Sequence, residues 1–214
     1  MLRTLMIAVM LILTGCASAV YDSLERRGVD AKTVLIGRVG DAREDALGAA
    51  AKVEIAAAAL KAAKGLEGPA LARQIDTARA GAQDAAVAAQ ALRLSADTVG
   101  ASGARYFEEW EEEISLYQTP EEQDAAAAKL KAQAEAHRRL GGALGAASLR
   151  LSPALTILND EIDVLRKNPT SGVVVASRAA RIDAAGAAAA EASASLRGAG
   201  AEADRFLAAL NAGG

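Results

Sequence analysis

Apolar residues recur along this chain in alternating steps of three and four. From residue 30 the pattern runs Leu35, Val39, Ala42, Ala46, Ala49, Val53, Ala56, Leu60 and Ala63. After a break it resumes as Leu71, Ile75, Ala78, Ala82, Ala85, Ala89 and Leu92, and carries on through Ala96, Val99 and Gly103 to Tyr106 and Trp110. A third stretch reads Leu130, Ala134, His137, Gly141, Leu144, Ser148, Leu151, Leu155, Leu158, Ile162 and Leu165. The fourth starts at Val175 and runs from Ile182 to Leu210, with Arg178 interrupting it once. Such spacing puts one apolar stripe on an α-helix. A mean step of 3.5 residues winds that stripe left-handed around a partner.

The breaks between stripes carry helix punctuation. Gly65-Leu66-Glu67-Gly68-Pro69 offers glycine for a C-cap and proline for a first turn. Thr119-Pro120-Glu121-Glu122 reads as an N-cap, a proline at the first helical position and acids in the first turn. Asn168-Pro169-Thr170-Ser171 is the third break. The pattern therefore predicts helices near 30–64, 70–118, 121–167 and 171–211. Pro153 falls inside the third, where a missing N–H predicts a kink or a break near Leu151-Ser152. Val173-Val174-Val175 is the one β-branched run. The expected fold is all-α: an elongated antiparallel bundle or coiled coil of about four long helices over residues 30–214.

Composition sharpens this reading. Alanine fills about a quarter of the 214 residues, and aromatics only 3%. Alanine loses no side-chain entropy in a helix but buries little area. Length and helix propensity must then supply much of the stability. The net charge of −3 comes from 24 basic and 27 acidic residues. That balance lacks the basic excess of a nucleic-acid footprint, so no nucleic-acid partner is expected.

The first residues have a different character. Arg3 precedes an apolar run from Leu5 to Leu13, too short for a membrane span that needs about 20 residues. This is the layout of a secretory signal. Leu13-Thr14-Gly15-Cys16 then resembles the lipobox of bacterial lipoproteins, and Cys16 is the only cysteine. The resemblance implies removal of residues 1–15, with Leu13 and Gly15 read by the signal peptidase. It implies a diacylglycerol and an N-acyl chain on Cys16, and no other cofactor. Several acyl chains give the stable anchoring that one does not. Ala17, in place of aspartate, implies sorting to the outer membrane, facing the periplasm. Residues 16–29 would then be a tether. Two other readings remain open: cleavage after Ala17-Ser18-Ala19 by ordinary signal peptidase, and an uncleaved anchor.

Three further stretches resemble a family of helical bacterial lipoproteins, domain of unknown function 2959. They are Tyr21-Asp22-Ser23-Leu24-Glu25-Arg26-Arg27-Gly28 with Lys32, Leu35, Arg38-Val39 and Ala42-Arg43; Phe107-Glu108-Glu109-Trp110-Glu111-Glu112-Glu113; and Pro153-Ala154-Leu155 with Leu165-Arg166-Lys167-Asn168. Thr33 and Gly37 depart from its pattern. The resemblance implies a helical fold and an envelope address, and carries no activity.

Candidate chemistry is sparse. Glu108, Glu109, Glu112 and Glu113 form a candidate weak cation site, because hard cations take several oxygen ligands. A solvated helix face beside a buried Trp110 is the plainer reading. Tyr106, Phe107, Trp110 and Tyr117 form an aromatic layer or a partner-facing patch. His137, the one histidine, is read as structural, and no metal centre is expected. Gly141-Gly142-Ala143-Leu144-Gly145 lacks the lysine of a phosphate loop and is read as helix with close packing or local flexibility. No nucleophile–base set can be assembled, so the expected function is non-enzymatic. The first expectation is a spacer or protein-interaction module of the envelope, with another envelope protein, the cell wall or a second copy as partner. The alternatives are a carrier of lipid or amphiphile and a cation-responsive envelope protein.

Overall fold

The computed structural model describes residues 30–212. The signal segment, Leu13, Gly15, Cys16, the tether and the Tyr21–Gly28 motif lie outside the described residues. Those described form five α-helices and no strand: α1 (Ala31–Ala62), α2 (Gly68–Ile114), α3 (Pro120–Arg166), α4 (Gly172–Ser177) and α5 (Ala179–Ala212). No described helix is long and apolar enough to cross a membrane.

The helix ends sit where the punctuation put them. Asp30 caps α1 by accepting the Thr33 N–H at 2.8 Å. Gly65 (φ +81°) and Gly68 (φ +58°) make the turn into α2, a left-handed backbone that side chains resist. Thr119 caps α3 by accepting the Glu122 N–H at 3.3 Å, with Pro120 behind it. Ser171 caps α4. At this end of the bundle the two turns touch: the Gly68 N–H donates to the Thr170 carbonyl at 3.0 Å.

The long helices pack in a ring, α1 on α2, α2 on α3, α3 on α5 and α5 on α1. Cross-contacts give the antiparallel register. Along α1 and α5, Arg43 meets Asp204, Glu54 meets Ser193 and Lys64 meets Asp183. As one number rises the other falls by the same amount. Between α1 and α2, Lys52 lies 3.5 Å from Asp84, and the Gln74 amide donates to the Ala59 carbonyl at 2.8 Å.

All eight stripe positions of α1, Leu35 to Leu60, are buried, as are Ala63 just past its end and the positions of α5 from Ile182 to Leu210. Alanine seams let backbones come close. A Cβ added at Gly81 would lie 3.1 Å from the Ala56 Cα. Leucines at 140, 144, 151, 158 and 165 give α3 the bulkiest seam.

Four expectations need correction. The helices number five, because the predicted fourth helix divides at Arg178, whose backbone (φ −100°, ψ 0°) leaves the helical run. Of the kink or break expected at Pro153, the break is absent: α3 is one continuous helix through it. Both Pro153 and Leu149, whose carbonyl loses its partner, face solvent, and Leu151, Ala154, Leu155 and Leu158 hold the helix down on either side. In the first half of α3 the buried stripe is Gln133, Ala136, Leu140, Leu144 and Ala147, whereas Gly141 is exposed. Finally, Gly141, Gly142 and Gly145 are helical without close packing, since a Cβ at each would meet nothing within 4 Å. The Val173-Val174-Val175 run is helical, inside α4.

Candidate functional site

The bundle's second end is stepped. α2 and α3 have 47 residues each, while α1 has 32 and α5 has 34. From the Lys52–Asp84 contact the register sets Ala31 opposite roughly residue 105, so α2 runs on for about ten residues, ~15 Å at 1.5 Å per residue. The α2–α3 hairpin thus projects past the start of α1. Gln123 fastens its turn, donating to the Tyr117 carbonyl at 3.1 Å.

A groove of about 670 Å³ opens at this step. Its walls come from the first turn of α1 (Asp30, Ala31, Lys32), the end of α2 with the residues beyond it (Tyr106, Glu109, Trp110, Glu113, Tyr117) and the start of α3 (Glu122, Ala125, Ala126, Lys129). The Tyr106 and Trp110 rings lie 5.6 Å apart at 41° and form adjoining walls. The Tyr106 hydroxyl donates to Gln133 at 3.3 Å. Burial raises its pKa above the ordinary 10.0, and the charges of Glu113 and Asp30 raise it further. Glu109 accepts from Arg105 at 2.7 Å, and Glu113 accepts from the Tyr117 hydroxyl at 3.5 Å.

The structure divides both sequence-derived sets. Tyr106, Trp110 and Tyr117 line the groove, but Phe107 turns inward, edge-on to His137 at 5.5 Å between centroids. Glu109 and Glu113 line the groove, while Glu108 and Glu112 are exposed outside it. Helical periodicity forces this split, since 109 and 113 are one turn apart and 108 and 112 lie about 100° around. Among the described residues no group of three His, Cys, Asp or Glu could hold a metal ion.

Two polar groupings escaped sequence reasoning. Glu161, 4% exposed, takes both donors of Arg178, Nε at 2.9 Å and Nη2 at 2.5 Å. This pair fastens the α4–α5 break to α3. Elsewhere Glu54 accepts from buried Ser193 at 2.5 Å and from Arg197 at 2.7 Å. The Ser193 hydroxyl is the main reason its pKa lies below the ordinary 4.5. A second groove, about 500 Å³, runs beside this pair between α1 and α5, lined by six alanines together with polar side chains that include Lys61 and Asp183.

A family model described as protein of unknown function (DUF2959) matches residues 20–210. The chain belongs to that family. The DUF2959 match begins upstream of α1 and ends at residue 210, two residues before the end of α5. No curated protein and no solved structure matches the chain.

Proposed function

We propose that this DUF2959 protein is a non-enzymatic envelope lipoprotein. Acyl chains on Cys16 hold it to the periplasmic face of the outer membrane. Its bundle is a slender antiparallel coiled coil that serves as a spacer or as an interaction module. Another envelope protein, the cell wall or a second copy would be its partner.

One arrangement supports the reading. The only cysteine closes Leu13-Thr14-Gly15-Cys16 after a short apolar run, and the chain then enters α1 at one end of four rods. α2 and α3, at 47 residues, reach ~70 Å. A tether at one end of rods of that length would carry the far end well away from the bilayer.

Metabolic labelling with a clickable palmitate tests the anchor. The expected result is a labelled, membrane-bound protein, with Cys16→Ala unlabelled and soluble. Label on the Cys16→Ala protein would overturn the proposal.

A carrier of amphiphiles is the second reading. The groove between α1 and α5 favours it, because the six alanines in its lining let helices separate around an acyl chain. Native mass spectrometry distinguishes the two: a stoichiometric co-purified lipid supports the carrier, and bare protein supports the spacer.

A further inference from the structure

We propose that the groove at the stepped end of the bundle binds an alkylated organic cation, an ammonium group bearing methyl substituents, of which choline is the simplest soluble example. The proposal does not rest on the lipid anchor.

The walls carry the argument. Three of the chain's six aromatic residues gather here, Tyr106 and Trp110 from α2 and Tyr117 from the turn that follows. Aromatic faces attract cations through the ring quadrupole, and tryptophan does so best. With the rings the lining holds four carboxylates, Asp30, Glu109, Glu113 and Glu122, and two ammonium groups, Lys32 and Lys129; Glu109 is also paired with Arg105, and Asp30 caps α1. Anionic charge is in excess, and the charges of Glu113 and Asp30 add to the burial that raises the Tyr106 hydroxyl's pKa. The volume of about 670 Å³ is that of a small-molecule site.

The chemistry of the occupant follows from what the walls lack and what they hold. A metal ion needs several oxygens converging at bonding distance. No described group of three ligating side chains could hold one. A strongly hydrated metal ion gains little in water from aromatic faces. A methylated ammonium is weakly hydrated, so it sheds water readily. Its methyl groups pack on the rings while its charge faces the carboxylates.

Trp110 is the only tryptophan, so its fluorescence reports on the groove alone. The experiment titrates the full chain, in a non-ionic maltoside at fixed ionic strength, with choline chloride. 3,3-Dimethyl-1-butanol, which has the same shape without the charge, serves as the comparison, and calcium chloride tests a metal. The proposal expects saturable change with choline, about tenfold weaker binding of the alcohol, and no saturable change with calcium. Glu113→Gln weakens choline severalfold and leaves the alcohol unchanged. Glu122→Gln, on the facing helix, does the same and stands in should the first variant lose its helical circular dichroism. Four results would each overturn the proposal: no saturable response to choline, equal binding of choline and the alcohol, an equal response to calcium, or choline binding unchanged in both variants. A shift of Trp110 emission that follows protein concentration without added cation would overturn it as well, and would assign the groove to a second copy.

Discussion

His137 shows how one side chain sets local packing. Its ring lies between Phe107 and Phe206, each 5.5 Å away between centroids. Its Nε2 is 3.1 Å from the Val99 carbonyl, and in the neutral ring that nitrogen carries the hydrogen and donates it. Gly103 makes the room, since a Cβ there would sit 2.2 Å from Nε2. Burial lowers the His137 pKa below the ordinary 6.5, partly offset by the bond to Val99. The sign of the pH effect follows. The folded chain prefers the neutral ring, while the unfolded chain binds a proton below 6.5. Stability from this site is therefore complete above pH 6.5 and is lost as pH falls from there through the lower folded pKa. Glu54 acts in a separate window, holding its contribution down to pH 4.5 and losing it as pH drops further. Urea unfolding across this range should show both declines. In His137→Leu the upper decline disappears and the lower remains. An upper decline that survives the substitution would refute the assignment.

Among the elements, α3 and the α4–α5 pair invert the sequence expectation. α3 tolerates Pro153 because its ring points to water and only one carbonyl partner is lost. The residue contributes no core contact, so replacing it restores a helical hydrogen bond at no packing cost. Pro153→Ala should therefore raise stability, by up to about 3 kcal/mol, seen as a higher Tm. A lower Tm would mean that the proline shapes the helix's path against α5. The break instead sits at Arg178, where a charged side chain on the seam reaches a carboxylate buried in α3. Removing one partner of such a pair leaves a buried charge. Glu161→Ala should cost about 3 kcal/mol, and pairing it with Arg178→Met should recover most of that. Urea unfolding of the singles and the double closes the cycle. An additive double variant would mean that the two groups act independently. This pair was legible in principle. Arg178 interrupts its stripe, Glu161 sits one position before the stripe residue Ile162, and the two lie similar distances from the Asn168-Pro169 turn.

At the scale of the whole molecule, the core is wide in length and thin in section. Alanines at 42, 46, 49, 56, 78, 82 and 85 are wholly buried, so α1 and α2 approach closely along several turns. Stability is spread over many small contacts. Solution scattering should give a longest dimension of ~70 Å or more. The radius of gyration should exceed the ~17 Å of a compact 214-residue domain. A value near 17 Å would rule out the spacer. The stepped end is a product of the same arithmetic. Helices of unequal length joined by short turns cannot finish level, and the groove forms where α1 starts late.

Helix positions, caps and the stripes of α1 and α5 were determined by the sequence alone. Each depends on residues within a few turns of one another, and local propensity and periodicity act at that range. The first half of α3 was not. Its alanines offer two stripes of nearly equal hydrophobicity, and only contact with α2 and α5, through Tyr106–Gln133 and the Gln133 amide to Ala209, selects the one carrying Leu140. The break at Arg178 likewise needs Glu161 from a different helix. The groove draws on three segments separated by more than seventy residues between Lys32 and Tyr106. Which glutamates and aromatics meet there depends on the relative ends of helices, a property that no single helix contains.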